Sequence, residues 1–533
     1  MQPDQVRPTR NSLQTVIAYA TRWLRTFPVY PALLPFAIYT HWYVNLRFQM
    51  EFGEYLFPIL ALVGGFLLLM LALTWPAGNI RRAGFATFLF SFVVNFLPHD
   101  TLDVVPESIA LYVVSAATIA TLVALLYFLR QSRSDLFNFT FFMNIVVAAI
   151  CLPDIYHIVT WEIEVAPHRP PVEQIFPDLP ESGAHAGPDV WHLVFDRYAG
   201  SETMAKVYGF DNSEFLAALE QRGFSIGTDA RANYHQTAFS LLSTLNLDYL
   251  DGMGERGNLM RADWVPIYRG LRDNRVVRFF DHLGYKIYHA GSWWESTRYT
   301  RRAVENVNYL SMPEFARSML QHSLVGPTLA ALGLGIGDGR QDQCSRITYQ
   351  FNRLRQVAVV ADQKFVFGHL LVPHPPFVFR PDGSCKGVAE TAASTRAQNY
   401  VDQVKFANRE ILKLVDSILA GPRPAMIILQ ADEGPWPARF IDNEIFGTKD
   451  HVNEQRLELS PAETREKMLI FLAVRAPGPV PFVLEPQATP VNLYRRILDD
   501  QFGLHLPILP DRSYLVRSPA DLYTFEDITA ALH

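Results

Sequence analysis

Met426 to Gly434 reads MIILQADEG, and Val190 to Asp196 reads VWHLVFD. Each is a short apolar run closed by an acid. Such runs fit strands buried on both faces of a parallel sheet. Other segments take their places around these two. Asn212 and Ser213 can cap a helix whose apolar face holds Phe215, Leu216 and Leu219, with Gly223 past its end. Val265 to Leu283 has helical spacing and is closed by Gly284. Tyr285 to His289 and Phe365 to Leu371 read as strands. Val404 to Leu419 reads as a helix, and Ala425 to Leu429 and Met468 to Val474 as buried strands. The alternation predicts an α/β domain on a mostly parallel central sheet.

The N-terminal third is different. Five apolar runs cover Pro28 to Leu46, Tyr55 to Trp75, Gly84 to Leu97, Ile109 to Leu129 and Leu136 to Ile158. Most approach the roughly 20 residues a helix needs to cross a bilayer. They are too many for a signal peptide. Arg22 and Arg25 precede the first run, Arg81 and Arg82 follow the second, and Arg130 and Arg133 follow the fourth. The alternate connections carry Glu51, Glu54, Asp100, Asp103 and Glu107 instead. Arginine-rich short loops stay cytoplasmic, so the expected N-terminus is inside and everything after Ile158 is outside. The expected division is a transmembrane helical domain over 1–160, a Pro-rich linker over 161–188 and an extracytoplasmic domain over 189–533. His41 and Asn45 read as interfacial or helix-packing groups.

The 533 residues carry 19% charged side chains and a formal net charge of −6. No basic block marks a nucleic-acid footprint. Of three cysteines, Cys151 lies in an apolar run and reads as a packing residue. Cys344 and Cys385 lie in the second domain, where an oxidising compartment permits a disulfide; free thiols are the alternative. No CxxC supports a zinc cluster.

Ligand sites of open α/β sheets lie beyond the carboxyl ends of strands. Asp196, Asp432 and Glu433 fall there, and FVFGHLLVPHPPF brings His369 and His374. Acids and histidines at several strand ends point to a metal or phosphate site. Helix capping is the alternative for each acid.

Taken in order, VFDRYAGSETM, YGFDNSEFLAALEQRGFSI, ARANYHQTAFSLLSTLNLDYL, HLLVPHPPFVF, IILQADEGP and LPDRSYLV resemble sulfatase-like membrane proteins of the alkaline phosphatase superfamily. The arrangement is also similar to lipoteichoic acid synthases and phosphoethanolamine transferases. The resemblance covers most of 188–526. It implies an alkaline-phosphatase-like fold and a divalent metal bound by Asp196, Asp432, Glu433 and the nucleophile Thr237. It also implies that His374 contacts the phosphate or sulfate. Glu433 stands where such proteins carry histidine. An oxygen-rich set suits Mn or Mg better than Zn; the other outcome is a degenerate site that binds nothing. His451 is a further candidate imidazole. His192 reads as structural, Arg197 faces phosphate or pairs with an acid, and Trp293 and Trp294 line a pocket or pack the fold.

The expected function is a metal-dependent phospho-transferase or phosphodiesterase acting on a membrane lipid or lipid-linked envelope substrate. A non-catalytic envelope binding or assembly protein is one alternative and a sulfatase another. A formylglycine sulfatase needs Cys or Ser in a C/S-x-P-x-R context, which the sequence lacks. A transporter ranks last, because intramembrane charges are few and no repeat is evident.

Overall fold

The computed structural model describes residues 10–96, 107–180, 187–332, 339–440, 458–518 and 520–533. It divides into two compact units, Met1–His168 with Pro313–Asp338, and Arg169–Met312 with Gly339–His533.

In the first unit, helices Tyr30–Leu46, Phe52–Ala77, Ile80–Phe96, Glu107–Gln131 and Phe137–Glu164 cover the five apolar runs. Among the described residues, three segments are long and apolar enough to cross a membrane by length and composition: Phe52–Ala77, Tyr112–Gln131 and Phe137–His168. The helices Tyr30–Leu46 and Ile80–Phe96 have 17 residues each. A count of five crossings is therefore not established. A further helix, Arg10–Thr26, precedes them. Its junction with Tyr30–Leu46 is held by buried Asn144. The Asn144 Oδ1 accepts from Val29 and Tyr30 N–H at 2.9 and 3.0 Å, and its Nδ2 donates to Leu24 and Phe27 carbonyls at 2.7 and 2.9 Å. One amide thus satisfies backbone groups that a helix break leaves without partners.

Two short helices from far along the chain, Glu314–Gln321 and Val325–Ala331, belong to this unit. Phe315 and Met319 are buried in a cluster with Tyr39, Tyr43, Tyr55 and Ile59. The Leu324 N–H donates to the Val94 carbonyl at 3.0 Å, inside the last turn of Ile80–Phe96. His41 lies 3.3 Å from Asp154.

The second unit is built on a seven-stranded sheet. Its strands are β1 (Asp189–Phe195), β2 (Ser225–Ile226), β3 (Lys286–Ala290), β4 (Glu305–Asn306), β5 (Lys364–Leu370), β6 (Ala425–Gln430) and β7 (Leu472–Arg475). The spatial order is β2-β7-β6-β1-β5-β3-β4. The pairs β1–β5, β1–β6, β3–β5 and β3–β4 are parallel, as expected. β7 is antiparallel to β6, and β2 to β7. All of β1, β5 and β6 is buried, which is why each reads as an unbroken apolar run. A separate hairpin pairs β8 (Tyr514–Ser518) with β9 (Asp521–Asp527).

Three local readings are corrected. The helix expected over Val265 to Leu283 is two, Val265–Arg272 and Arg275–His282. Asp273 leaves the helical region, and the Asn274 side chain caps the second helix by accepting from Val277 N–H at 2.8 Å. Met468 closes the helix Pro461–Met468 rather than opening a strand. Part of the stretch expected as linker is packed. Val172, Ile175 and Phe176 join the core of the second unit, and Arg169 pairs with both carboxylate oxygens of Asp263 at 2.7 and 3.0 Å.

Candidate metal centre

The register of the parallel strands assembles the site. Val194 of β1 lies opposite His369 of β5 on one side and Gln430 of β6 on the other. Asp196, one residue past the central strand β1, is therefore flanked by His369 of β5 on one side and by Asp432, two residues past β6, on the other, at the carboxyl edge of the sheet. Asp196, His369 and Asp432 are buried, and one ligand atom of each lies within 4.8 Å of the others. His369 Nε2 is 3.1 Å from Asp196 Oδ2, and its Nδ1 is 2.8 Å from the Thr297 hydroxyl. The Thr297 hydroxyl, bonded to the ring nitrogen that faces away from Asp196, fixes the ring's orientation.

Thr237 opens the helix Thr237–Asn246, whose later residues are all buried. The Ser240 hydroxyl of that helix donates to the Asp432 carbonyl at 2.5 Å. The helix is thereby tied to the loop after β6. The Thr237 hydroxyl acts on the Asp432 carboxylate and favours its charged form. The Gln236 side chain makes no capping hydrogen bond to this helix, so it does not satisfy the helix's first N–H groups.

Arg197 sits at φ 60°, a left-handed conformation uncommon outside glycine. It is held on both sides. Its N–H donates to Asp432 Oδ1 at 3.0 Å, and the Tyr400 hydroxyl donates to its carbonyl at 2.8 Å. Its Nε lies 3.4 Å from Glu433 Oε1 and 3.9 Å from Asp196 Oδ1.

The electrostatics separate the two aspartates. Burial works against the charged form of Asp196, but His374, His369 and Arg197 hold its carboxyl well below the usual range. Burial first, and then the charge of Asp196, push Asp432 up to about 6. Asp196 Oδ1, Asp432 Oδ2 and Glu433 Oε2 are buried with no hydrogen-bond partner among the described residues. Buried carboxylate oxygens without donors are costly, and a bound cation relieves both that cost and the mutual repulsion. The donor set fits a divalent metal.

The other expected residues are placed as follows. Glu433 is outside the three-residue group. Its Oε1 lies 2.7 Å from the Nζ of buried Lys467. Burial pushes Glu433 up to about 8, with Lys467 opposing. His374 is half-buried, bonds the neighbouring Pro375 carbonyl through Nδ1, and lies near enough to act on Asp196. His192 is structural. It is buried in mid-strand between Gln430 and the Tyr494 hydroxyl, each at 3.0 Å. Trp294 packs its ring 6.2 Å from His369, and Trp293 packs against the core. His451 lies outside the described residues. Cys344 and Cys385 form a disulfide, and Cys151 is buried and free.

No family model and no curated protein matches the chain. Among solved structures it is similar to the C-terminal periplasmic domain of EcEptC from Escherichia coli, at 12% identity and TM-score 0.42, covering 66% of this chain and 96% of that one. It is also similar to the lipoteichoic acid synthase LtaP from Listeria monocytogenes, at 15% identity and TM-score 0.38, covering 65% and 83%. A third is the phosphonate monoester hydrolase SpPMH from Silicibacter pomeroyi, at 13% identity and TM-score 0.39, covering 62% and 79%.

Proposed function

We propose that the chain is a membrane-anchored, metal-dependent phospho-transferase or phosphodiesterase whose nucleophile is Thr237. The observation that carries this reading is the convergence of Asp196, His369 and Asp432 beside the hydroxyl that opens an uncapped helix. A divalent cation held by Asp196, His369 and Asp432, with Glu433 beside them, would supply the positive charge that favours a threonine alkoxide at neutral pH. The two carboxylates favour Mn or Mg, and the His369 imidazole, absent from the set expected from sequence, is a ligand that Zn also takes.

The residues of the chain divide the remaining work. Thr237 Oγ gives up its proton to solvent and attacks phosphorus. A new P–O bond forms to Thr237 while the ester bond to the leaving group breaks, and the departing alkoxide takes a proton from solvent to leave as the alcohol. The helix N-terminus, Arg197 and His374 offset charge on the phosphoryl oxygens. Water or an acceptor hydroxyl then attacks phosphorus and releases Thr237.

The apolar helices favour a lipid or lipid-linked envelope substrate, which a membrane-anchored domain meets at the bilayer surface. The alternation of arginine-rich and acidic connections supports placing the catalytic unit outside the cytoplasm, as does the disulfide. The test is Thr237→Ala in the purified full chain, assayed with Mn on a chromogenic phosphodiester. Turnover is expected to fall by at least 100-fold, on the order of the loss of one activated nucleophile. Unchanged turnover refutes the role of Thr237. A wild-type chain that binds Mn but turns over nothing would favour an envelope binding protein.

A further inference from the structure

We infer that Lys467 is a positioning residue of the metal centre, clamping the Asp432–Trp436 turn so that Glu433 is held with one carboxylate oxygen beside the Asp196, His369 and Asp432 group. This rests on the metal-dependent reading above and goes beyond it, because Lys467 touches neither metal nor substrate.

The lysine comes from the last turn of the helix Pro461–Met468, where a basic residue would ordinarily be solvated. Here it is fully buried. Burying an ammonium is expensive unless every donor is used. Lys467 Nζ donates to Glu433 Oε1 at 2.7 Å and to the Gly434 carbonyl at 2.9 Å, and it lies 4.0 Å from the centre of the Trp436 ring. The backbone returns the contact, since Gly434 N–H donates to the Lys467 carbonyl at 2.8 Å. Three residues of one turn are therefore gripped by one residue of another segment.

The approach is close enough to dictate glycine. A Cβ at position 434 would stand 2.2 Å from the Glu466 carbonyl oxygen and 2.8 Å from that of Lys467. The turn begins with Asp432, whose Oδ1 is already taken by Arg197 N–H. With Oδ1 and Oε1 both occupied, each acid keeps one oxygen without a partner, Asp432 Oδ2 and Glu433 Oε2. Protein donors thus fix one oxygen of each acid and leave the other without a donor. Ligating carboxylates are commonly oriented through such outer hydrogen bonds.

A double-mutant cycle tests this, read as Mn affinity by isothermal titration of the full chain in detergent. The variants are Lys467→Met, Glu433→Gln and the pair. Loss of an outer partner weakens metal binding roughly 10- to 100-fold, so Lys467→Met is expected to do so while Glu433 is present. In the Glu433→Gln background the same change is expected to cost less than about threefold, because Lys467 acts through Glu433. Equal losses in both backgrounds, or no loss in either, overturn the proposal. Lys467→Gln, which keeps a donor for the Gly434 carbonyl, replaces Lys467→Met if that variant does not fold. A wild-type chain that binds no Mn would instead refute the metal-dependent reading itself.

Discussion

His192 ties the strand that carries Asp196 to the pH of the medium. Its ring is wholly buried in β1, bonded to Gln430 and Tyr494. Burial lowers its pKa from the ordinary 6.5 to about 4, and the Gln430 contact opposes this only in part. The native state therefore keeps the ring neutral where the unfolded chain takes up a proton. Stability contributed by the neutral ring is present above pH 6.5 and is lost as pH falls from there towards 4. Between pH 7 and pH 4.5 the loss from this one group is about 2.5 kcal/mol. The perturbation is His192→Gln, which keeps polar atoms and cannot titrate in this range. The assay is urea unfolding of the full chain in detergent with chelator present, followed by tryptophan fluorescence, because Trp191 adjoins the site. Buried His289, also lowered to about 4, contributes equally to both proteins and cancels. Wild type is expected to lose about 2.5 kcal/mol more than the variant between the two pH values. The same loss in both proteins would refute the assignment of a neutral, strand-supporting ring.

Two further outcomes concern pairings within the second unit. Lys364 Nζ is 2.6 Å from Asp189 Oδ2, and both are buried at the start of their strands. Lys364→Met strands a buried carboxylate and is expected to cost roughly 3 kcal/mol, the low end for a broken buried pair, because Arg423 stays 2.9 Å from Asp189. Urea unfolding would show this, and a loss under about 1 kcal/mol would mean that Arg423 suffices alone. Thiol alkylation of the unfolded chain without reductant should label Cys151 only, since Cys344 and Cys385 are joined. Labelling of all three before reduction would remove the disulfide.

Asp196 and Asp432 were legible because each closes a short, mostly apolar run, VWHLVF and MIILQA, that reads as a buried strand. Thr237 was named only through the resemblance, and the helical spacing behind it marked the helix that it opens. His369 was visible at the same strand ends but not as a ligand, because its placement depends on β5 lying beside β1 with His369 opposite Val194. Lys467 was hidden for a different reason. In PAETREKM it reads as one more solvated charge, and only its burial against Gly434 and Trp436 distinguishes it. The break at Asp273 and Asn274 carried a capping signal that continuous apolar spacing masked. The helices Glu314–Gln321 and Val325–Ala331 are too short and too mixed in polarity to announce that they join the apolar unit. The reversal of β7 left no mark in a run as apolar as its parallel neighbours.

The central claim is that acids and an imidazole from three strand ends hold one cation beside Thr237. Anomalous diffraction from Mn-soaked crystals of the full chain tests it most directly. A single peak within about 2.5 Å of oxygens from Asp196 and Asp432, with His369 and Thr237 adjoining, is the expected result. A peak elsewhere, or none at saturating Mn, would contradict the account.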